Sequence, residues 1–332
     1  MQTVAESDVP LVTGNEGPDE ERRAYQALPH YEAGSARRGS GATMSHRSAP
    51  WDRWREVGER VFVRRHKTLD LNAGLILGED QCLVIDTRGN EREGVELLRA
   101  IRSITHLPYR VAITHSHFDH CFGNAAFAAQ QPGCEIWAHQ RCRDELASAG
   151  AEQRTSVAAG LRDSGEPALA DEVERVRIEL PNQLLTSDAS IDLGGRQVLL
   201  QHPGRGHTDH DIIVEVPDCG VTFVGDLVEQ GAPPSFDDAY PLEWPDTLDV
   251  VLERSGSVIV PGHGDVVDTE FVGRQRVDIA EVAKVARTLP PGLSDQDLEW
   301  AANRLAVGGP AGFLALRRAQ QHLAELTASP PG

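Results

Sequence analysis

The chain has 332 residues, of which 40% are hydrophobic and 25% charged, so it can bury a large core and has the composition of an ordinary globular protein. Its 51 acidic residues outnumber 32 Lys and Arg, and the net charge of -19 argues against a nucleic-acid partner because it repels phosphate backbones. No stretch approaches the roughly 18 consecutive apolar residues of a membrane helix, so no membrane partner is expected.

The N-terminal segment, residues 1–48, is rich in Glu, Gly, Ser, Arg and Pro and shows no sustained hydrophobic period. This composition predicts a disordered extension. The segment also lacks a basic stretch followed by an apolar core, so we expect no signal peptide. The five cysteines are odd in number and show no C-x-x-C spacing, which favours a reduced, cytoplasmic protein.

Short β-rich runs begin after Trp51 and form a first block of strands. Apolar residues at helical spacing predict helices between and after them. The predicted strands are 61–63, 75–77, 82–85, 111–113 and 135–138, and the predicted helices are 89–104 and 125–130. Residues 140–175 are rich in Ala and Glu with few β-branched residues, and we interpret them as a helical insertion.

A second block of strands follows, as a meander of hairpins separated by turn signals. Its predicted strands are 189–193, 197–201, 212–216 and 221–224, followed by a helix at 247–254 and a last strand at 258–260. The tail from 268 to 326 should be helical, with breaks at 290–292 and 308–310. Two strand blocks, each followed by helices, predict an α+β protein with two packed sheets between outer helices, an αββα sandwich.

Residues 114–124 read THSHFDHCFGN and directly follow a predicted strand. Imidazole and carboxylate are the usual protein ligands of zinc and iron, so this loop predicts a metal site. On an extended backbone alternate residues point the same way, so His115 and His117 can share one ion while Asp119 and His120 turn towards a second. Solvated loop histidines are the alternative, which three histidines within six residues disfavour.

Three later segments offer the same ligand chemistry at predicted strand ends. They place His207 in PGRGHTDHD, Asp226 after Val224-Gly225, and His263 in PGHG. Each is weak alone, because Gly-Asp and Gly-His pairs are common in turns. His210 and Asp211, in the His207 segment, are interpreted either as further site residues or as surface and supporting groups.

In order and approximate spacing, the segments HSHFDH, GRGHTDHD, VGD and PGHG resemble the metallo-β-lactamase superfamily of metallohydrolases, over roughly residues 58–265. The resemblance implies a metallo-β-lactamase-like catalytic domain over residues 49–267. The C-terminal helical region, 268–332, contains a helix with one apolar stripe, which we expect to pack on this domain. The resemblance also implies two Zn²⁺ ions per chain, with iron or manganese as alternatives. The implied ligands are His115, His117 and His207 for the first metal, Asp119, His120 and His263 for the second, and Asp226 as the bridge.

One departure bears on the activity. The subclass B1 β-lactamases place a cysteine where Asp226 stands, whereas His120 and Asp226 resemble the dinuclear hydrolases of the glyoxalase II, lactonase and phosphodiesterase type. We therefore expect a metal-dependent hydrolase of a small ester, thioester, lactone or lactam, in which Asp119 is the catalytic residue that orients the nucleophile or moves its proton. A β-lactamase is the alternative within this class, and a mononuclear iron oxygenase of the persulfide dioxygenase type is the alternative outside it.

Selection of the small-molecule substrate must depend on other residues. The Pro-rich stretch 229–244 follows Asp226 closely, and its aromatic residues Phe236, Tyr240 and Trp244 are predicted to wall a substrate pocket. The alternative is that these aromatic side chains anchor the stretch to the body of the protein. A homo-oligomer is left open by the sequence.

Overall fold

The structure is a computed structural model that describes residues 51–328, so the predicted disorder of residues 1–48 lies outside the described residues. Within that range two β-sheets pack against each other and helices cover both outer faces, which confirms the predicted α+β sandwich. No helix in this range is long and apolar enough to cross a membrane. All five cysteines fall within the range and none forms a disulfide bond.

The first sheet has seven strands in the described part of the chain, in sequential order. They are β1 (Trp54–Gly58), β2 (Val61–Arg65), β3 (Asn72–Leu77), β4 (Cys82–Ile85), β5 (Tyr109–Ala112), β6 (Ile136–His139) and β7 (Gln183–Leu185). Strands β1 to β4 are antiparallel neighbours, and β4 to β7 are parallel. The two edge strands, β1 and β7, were not predicted, because neither presents a fully buried apolar run.

The second sheet has five strands among residues 51–328, in the order β12-β11-β10-β9-β8. They are β8 (Ala189–Asp192), β9 (Gln197–Gln201), β10 (Ile213–Val216), β11 (Val221–Glu229) and β12 (Val258–His263). The predicted meander is confirmed by the antiparallel pairing of β8 to β11, while β12 pairs with β11 in parallel.

Strand β11 continues past the predicted end at Val224, so Asp226 lies within the strand and not after it. The reason is Gly225, which has a φ of +52° and produces a bulge where the register with β12 shifts. Glycine tolerates this left-handed conformation, and a bulge re-aims the next side chain without ending the strand.

Ten α-helices lie within the described residues, and the predicted ones are confirmed with small shifts of their ends. Asn90 caps the first, α1, by accepting a hydrogen bond from the Glu93 amide, and buried Leu97, Leu98 and Ile101 form its core-facing stripe. The helices are α1 (Glu91–Arg102), α2 (Phe118–Cys121), α3 (Asn124–Gln130), α4 (Gln140–Ser148), α5 (Gly150–Asp163), α6 (Pro167–Glu174), α7 (Trp244–Arg254), α8 (Thr269–Thr288), α9 (Asp295–Ala302) and α10 (Gly309–Ala328).

Three apolar clusters fill the spaces between the layers. The central one joins the two sheets, for example through Ile85 and Phe223. A second packs the first sheet against α1 and the helices that follow it. The third packs β11 and α7 against α8, α9 and α10, so the C-terminal helices share a core with the second sheet. These clusters hold the loops at one end of both sheets in place.

Candidate metal centre

The predicted ligand segments meet at one end of the two sheets. The loop after β5 supplies two histidines, α2 supplies an aspartate and a histidine, and the loop after β9 supplies another histidine. Parallel strands β11 and β12 supply the last aspartate and histidine. The structure thereby brings together all seven predicted ligands: His115, His117, Asp119, His120, His207, Asp226 and His263.

The first group consists of His115, His117, His207 and Asp226, whose ligand atoms all lie within 4.8 Å of one another. His207 Nε2 lies 2.9 Å from His117 Nδ1. Asp226 Oδ2 lies 3.7 Å from both His115 Nε2 and His207 Nε2. These atoms surround a common point, as the ligands of one cation would.

The second group consists of Asp119, His120 and His263. His263 Nε2 lies 3.3 Å from His120 Nε2 and 3.4 Å from Asp119 Oδ2. Asp226 also reaches this group, since its Oδ1 lies 3.3 Å from His120 Nε2 and its Oδ2 lies 3.3 Å from His263 Nε2. The Asp226 carboxylate therefore stands between the two groups.

The neighbouring glycine on β12 makes room for this carboxylate. A Cβ atom on Gly262 would stand 1.8 Å from Asp226 Oδ1, which no side chain could tolerate without displacing the carboxylate. The Pro-Gly-His-Gly segment thus supplies both a ligand, His263, and the space for another.

The donor set fits metal ions. Two nitrogens at 2.0–2.1 Å from a tetrahedral zinc lie about 3.4 Å apart, close to the spacings seen between the paired imidazoles. His115 Nε2 and Asp226 Oδ1 are buried and have no hydrogen-bond partner among the described residues. Buried polar atoms without partners are costly, and a cation in each group would satisfy them.

A buried carboxylate, Asp86, supports two of the histidines from behind. Its Oδ2 accepts from His120 Nδ1 at 2.8 Å and from the Thr114 hydroxyl at 2.9 Å, and its Oδ1 accepts from the Thr114 amide. His115 Nδ1 lies 3.0 Å from Thr114 Oγ1, so His115 reaches Asp86 through Thr114. These bonds keep the proton on Nδ1 and aim the Nε2 lone pairs into the site.

Two more histidines have their own supports. His263 Nδ1 donates to the Leu69 carbonyl at 2.7 Å, and Leu69 has a φ of +57°, an uncommon conformation for a leucine. His117 Nε2 donates to Asp238 Oδ2 at 3.1 Å, leaving Nδ1 for the first group. His207 Nδ1 is buried and has no partner within residues 51–328.

The charges at the centre influence its protonation. Burial would lower the pKa of His120 and His263, but the neighbouring carboxylates, Asp226 foremost, raise both pKa values well above the ordinary range. Burial would likewise raise the pKa of Asp226, but the same two histidines hold it well below its ordinary value. The carboxylates therefore stay ionised, and protons compete with metal for the imidazole lone pairs.

His210 and Asp211 lie beside the centre and support its loops. His210 Nε2 lies 3.0 Å from Ser116 Oγ, and its Nδ1 lies 2.7 Å from Asp209 Oδ1. Asp211 Oδ2 accepts from the Thr208 amide at 2.7 Å. Neither belongs to the two ligand groups, which agrees with the interpretation as supporting groups.

The prediction that Phe236 and Trp244 wall a substrate pocket is wrong, because their side chains are 1% and 0% exposed. They pack on each other with ring centroids 5.3 Å apart, and Trp244 Nε1 donates to the Leu227 carbonyl. They anchor the stretch to the body of the protein, as the alternative stated. Tyr240 is partly exposed, and its contact with substrate stays a prediction.

Two carboxylates that accept hydrogen bonds from ligand histidines, Asp86 and Asp238, were not predicted from the sequence. A signal existed for Asp86, which directly follows the buried apolar strand β4, as the other ligand segments follow strands. Asp238 gave none, because it is one acidic residue in a polar stretch, 121 positions from the histidine it contacts.

Comparisons with known proteins agree with this arrangement. The family model of the metallo-beta-lactamase superfamily matches residues 68–263. The metallo-beta-lactamase type 2 of Bacillus cereus is 25% identical over 202 residues, covering 59% of this chain and 68% of that protein. The protein of the same name from Bacteroides fragilis is 24% identical over 206 residues, covering 60% and 72%.

Two solved structures show the same fold. A metallo-beta-lactamase from Pontibacter korlensis superposes with a TM-score of 0.56 at 19% identity, covering 69% of this chain and 98% of that one. The metallo-beta-lactamase FIM-1 from Pseudomonas aeruginosa, in its mono-zinc form, gives a TM-score of 0.54 at 18% identity, covering 70% and 96%. At these identities the likeness concerns the fold alone.

Proposed function

The chain belongs to the metallo-beta-lactamase superfamily, and we propose that this metal-dependent hydrolase cleaves a small ester, thioester, lactone or lactam. The observation that carries the proposal is the position of Asp226 between the two ligand groups, within 3.7 Å of His115 and His207 and 3.3 Å of His120 and His263. A carboxylate in that position suits a pair of cations, and we propose two zinc ions per chain.

Divalent cations bound there would supply hydroxide from water at neutral pH and polarise the bond under attack. Asp119 is the residue that we propose to orient the nucleophile or move its proton. Burial would raise its pKa, but His120 and His263 lower it, so the carboxylate is ionised and able to accept a hydrogen bond. Its side chain is 11% exposed, so it borders the accessible side of the centre.

That accessible side sets the direction of substrate approach. The side chains of His117, Asp119 and His263 are 19%, 11% and 15% exposed, whereas His115 and His120 are fully buried. A substrate would therefore reach the metals over the edge formed by the first three. Residues 68–70 and the stretch 229–244 flank this edge, because they contact His263 and His117.

The test is a hydrolysis screen over thioesters, lactones, β-lactams and phosphodiesters with protein of defined metal content. We expect one ester-like or amide-like class to be cleaved, and His117→Ala to abolish that activity and reduce bound metal. His106→Ala is the matched control, since His106 is exposed and belongs to neither ligand group. Activity that survives His117→Ala would contradict the proposal.

A β-lactam is the second candidate substrate, because the relatives at 24% and 25% identity are named metallo-beta-lactamases. The aspartate at position 226, where the resemblance to subclass B1 enzymes would place a cysteine, weighs against it. Nitrocefin hydrolysis by the zinc-loaded protein distinguishes a β-lactam substrate from the ester, thioester and lactone classes. Turnover of nitrocefin supports the β-lactam, and no turnover of nitrocefin alongside turnover of a thioester or lactone excludes the β-lactam.

The iron oxygenase alternative predicts a single metal. The convergence of His120 and His263 with Asp119 provides a second group of ligands and supports two metals. Metal analysis of the purified protein distinguishes the alternatives: about two zinc ions per chain would support hydrolysis, and one iron ion would support the oxygenase.

A further inference from the structure

The C-terminal helix α10 lies beyond residue 263, where the family match ends, yet it contacts the metal centre through the stretch 229–244. Arg318 on this helix donates from Nε to the Ala239 carbonyl at 3.0 Å and from a terminal nitrogen to the Asp238 carbonyl at 3.2 Å. One guanidinium therefore holds two successive carbonyls, which the planar fork of arginine is suited to do.

Tyr240, which follows Ala239 in the chain, adds a second contact with α10. Its ring stacks on His322, one helical turn after Arg318, with centroids 4.8 Å apart and an interplanar angle of 24°. The Tyr240 amide donates to the Gly206 carbonyl at 2.8 Å, directly before the ligand His207. The segment 238–240 is thus held by α10 on one side and by the His207 loop on the other.

Asp238 is the residue in this segment that reaches a ligand. Its Oδ2 accepts from His117 Nε2 at 3.1 Å, and its side chain is 50% exposed. An exposed pair of this kind is normally weak, because ordering the side chains costs entropy and water screens the charges. If the backbone of Asp238 is already fixed, much of that ordering cost is removed.

We propose that Arg318 is a positioning residue for the first ligand group. By fixing the backbone at 238 and 239 it places the Asp238 carboxylate against His117 Nε2, which in turn aims His117 Nδ1 at the point shared with His207 and Asp226. On this proposal, the C-terminal helix α10 helps to position a ligand of the metal centre. The inference concerns metal binding and does not depend on which bond the enzyme cleaves.

The experiment measures stepwise zinc affinity by competition with a chromophoric chelator, with histidine ¹⁵N spectra assigning each step to a ligand group. Arg318→Ala should weaken zinc binding at the first group by about tenfold, the lower end of the range for lost outer-shell contacts, and leave the second group unchanged. Arg317→Ala is the matched control, because it removes the same charge from the same helix, while the described interactions of Arg317 are with the Phe313 ring and the Asp237 charge.

A readout on His117 itself separates positioning from a general structural role. The His117 Nε2–H signal should be protected from solvent exchange in the parent and in Arg317→Ala, and exposed to exchange in Arg318→Ala. Arg318→Lys keeps the charge but lacks the fork, so its first-group affinity should fall between those of Arg318→Ala and the parent. Parent-like affinity in Arg318→Lys would overturn the role of the fork.

Two results with Arg318→Ala would overturn the proposal: an unchanged affinity of the first group, or an equal loss at both groups, which would indicate general destabilisation. Thermal unfolding of the metal-free variants shows whether the fold is kept, and Arg318→Lys serves as the test if Arg318→Ala does not fold. Because binding is measured without substrate, failure here is distinguishable from failure of the proposed hydrolysis.

Discussion

The two ligand groups present the same side-chain chemistry but differ in what supports them. In the second group, His120 is held by Asp86, which is 2% exposed, and His263 by the backbone at Leu69. In the first group, His117 is held by Asp238, whose side chain is 50% exposed. The second group, the core-built half of the centre, thus has a buried carboxylate behind His120, whereas the first group, the surface-dependent half, relies for His117 on a surface stretch and the helix that holds it.

The largest effect should come from the residue that both groups share. We expect Asp226→Ala to lower kcat/KM by more than ~10³-fold, beyond the 10–100-fold typical of outer-shell changes, and to reduce bound metal at both groups. The reason is that Asp226 approaches ligands of each group. Metal analysis and steady-state kinetics measure this, with the exposed Asp163→Ala as the control. Retention of both metals would refute the bridging role.

The core-built half should respond to Asp86→Asn. The carboxylate accepts three hydrogen bonds through its two oxygens, whereas the NH2 group of an asparagine would face either the Thr114 amide or the donors His120 Nδ1 and Thr114 Oγ1. Zinc affinity at the second group should therefore fall by about 10–100-fold. Zinc affinity at the first group should fall less, because His115 reaches Asp86 only through Thr114. Urea unfolding of the metal-free protein should show a loss of about 1–3 kcal/mol, the cost of an unsatisfied buried polar group.

Asp80→Asn, at an exposed turn, is the control for Asp86→Asn and should change neither zinc affinity nor stability. If Asp86→Asn lowered zinc affinity at the first group more than at the second, the division of the centre into two differently supported halves would be wrong.

The surface-dependent half should respond to Asp238→Asn. Zinc affinity at the first group should fall by about tenfold, while the stability of the metal-free protein should change by no more than ~0.5 kcal/mol because the side chain is half exposed. Chelator competition and urea unfolding provide the two measurements. Asp163→Asn, at an exposed position away from the metal centre, is the control. A stability loss as large as that of Asp86→Asn would show that Asp238 is structural.

The smallest effect concerns ionic strength. Raising a non-coordinating salt from about 0.05 to about 0.5 M should lower zinc affinity at the first group about two- to threefold more than at the second. The reason is that salt screens the half-exposed His117–Asp238 pair more than the buried His120–Asp86 pair. The difference between the groups is the test, since the net charge of -19 attracts cations to both. Equal salt dependence would contradict the contrast in exposure.

The sequence was sufficient for what is encoded locally. The HSHFDH segment, the periodicity of α1 and the alternation of strands and turns depend on neighbours in the chain, and they predicted a metal-binding loop and the sandwich. The convergence of ligands from four distant segments was implied by the resemblance to the metallo-β-lactamase superfamily. Asp226 illustrates the limit. Gly225-Asp226 suits a turn as well as a bulge, and only pairing with β12 shows that the strand continues.

Long-range contacts account for the features of the site that the sequence did not predict. Phe236 and Trp244 could as well line a pocket as anchor a stretch, and their burial depends on packing against the core that includes Leu227 and Leu248. Arg318 lies 80 residues from Asp238, and a basic residue on an amphipathic helix carries no signal for such a contact. Outer-shell partners of this kind are specified by the assembled fold.

The core that α8, α9 and α10 share with β11 and α7 has a practical consequence for anyone who shortens the chain. A protein cut after residue 263, where the family match ends, would expose apolar side chains such as Val228, Leu248 and Val251 that are fully buried in the intact fold. A contiguous apolar surface of that kind promotes aggregation. Any shortened form of the protein therefore has to keep the C-terminal helices if this core is to stay covered.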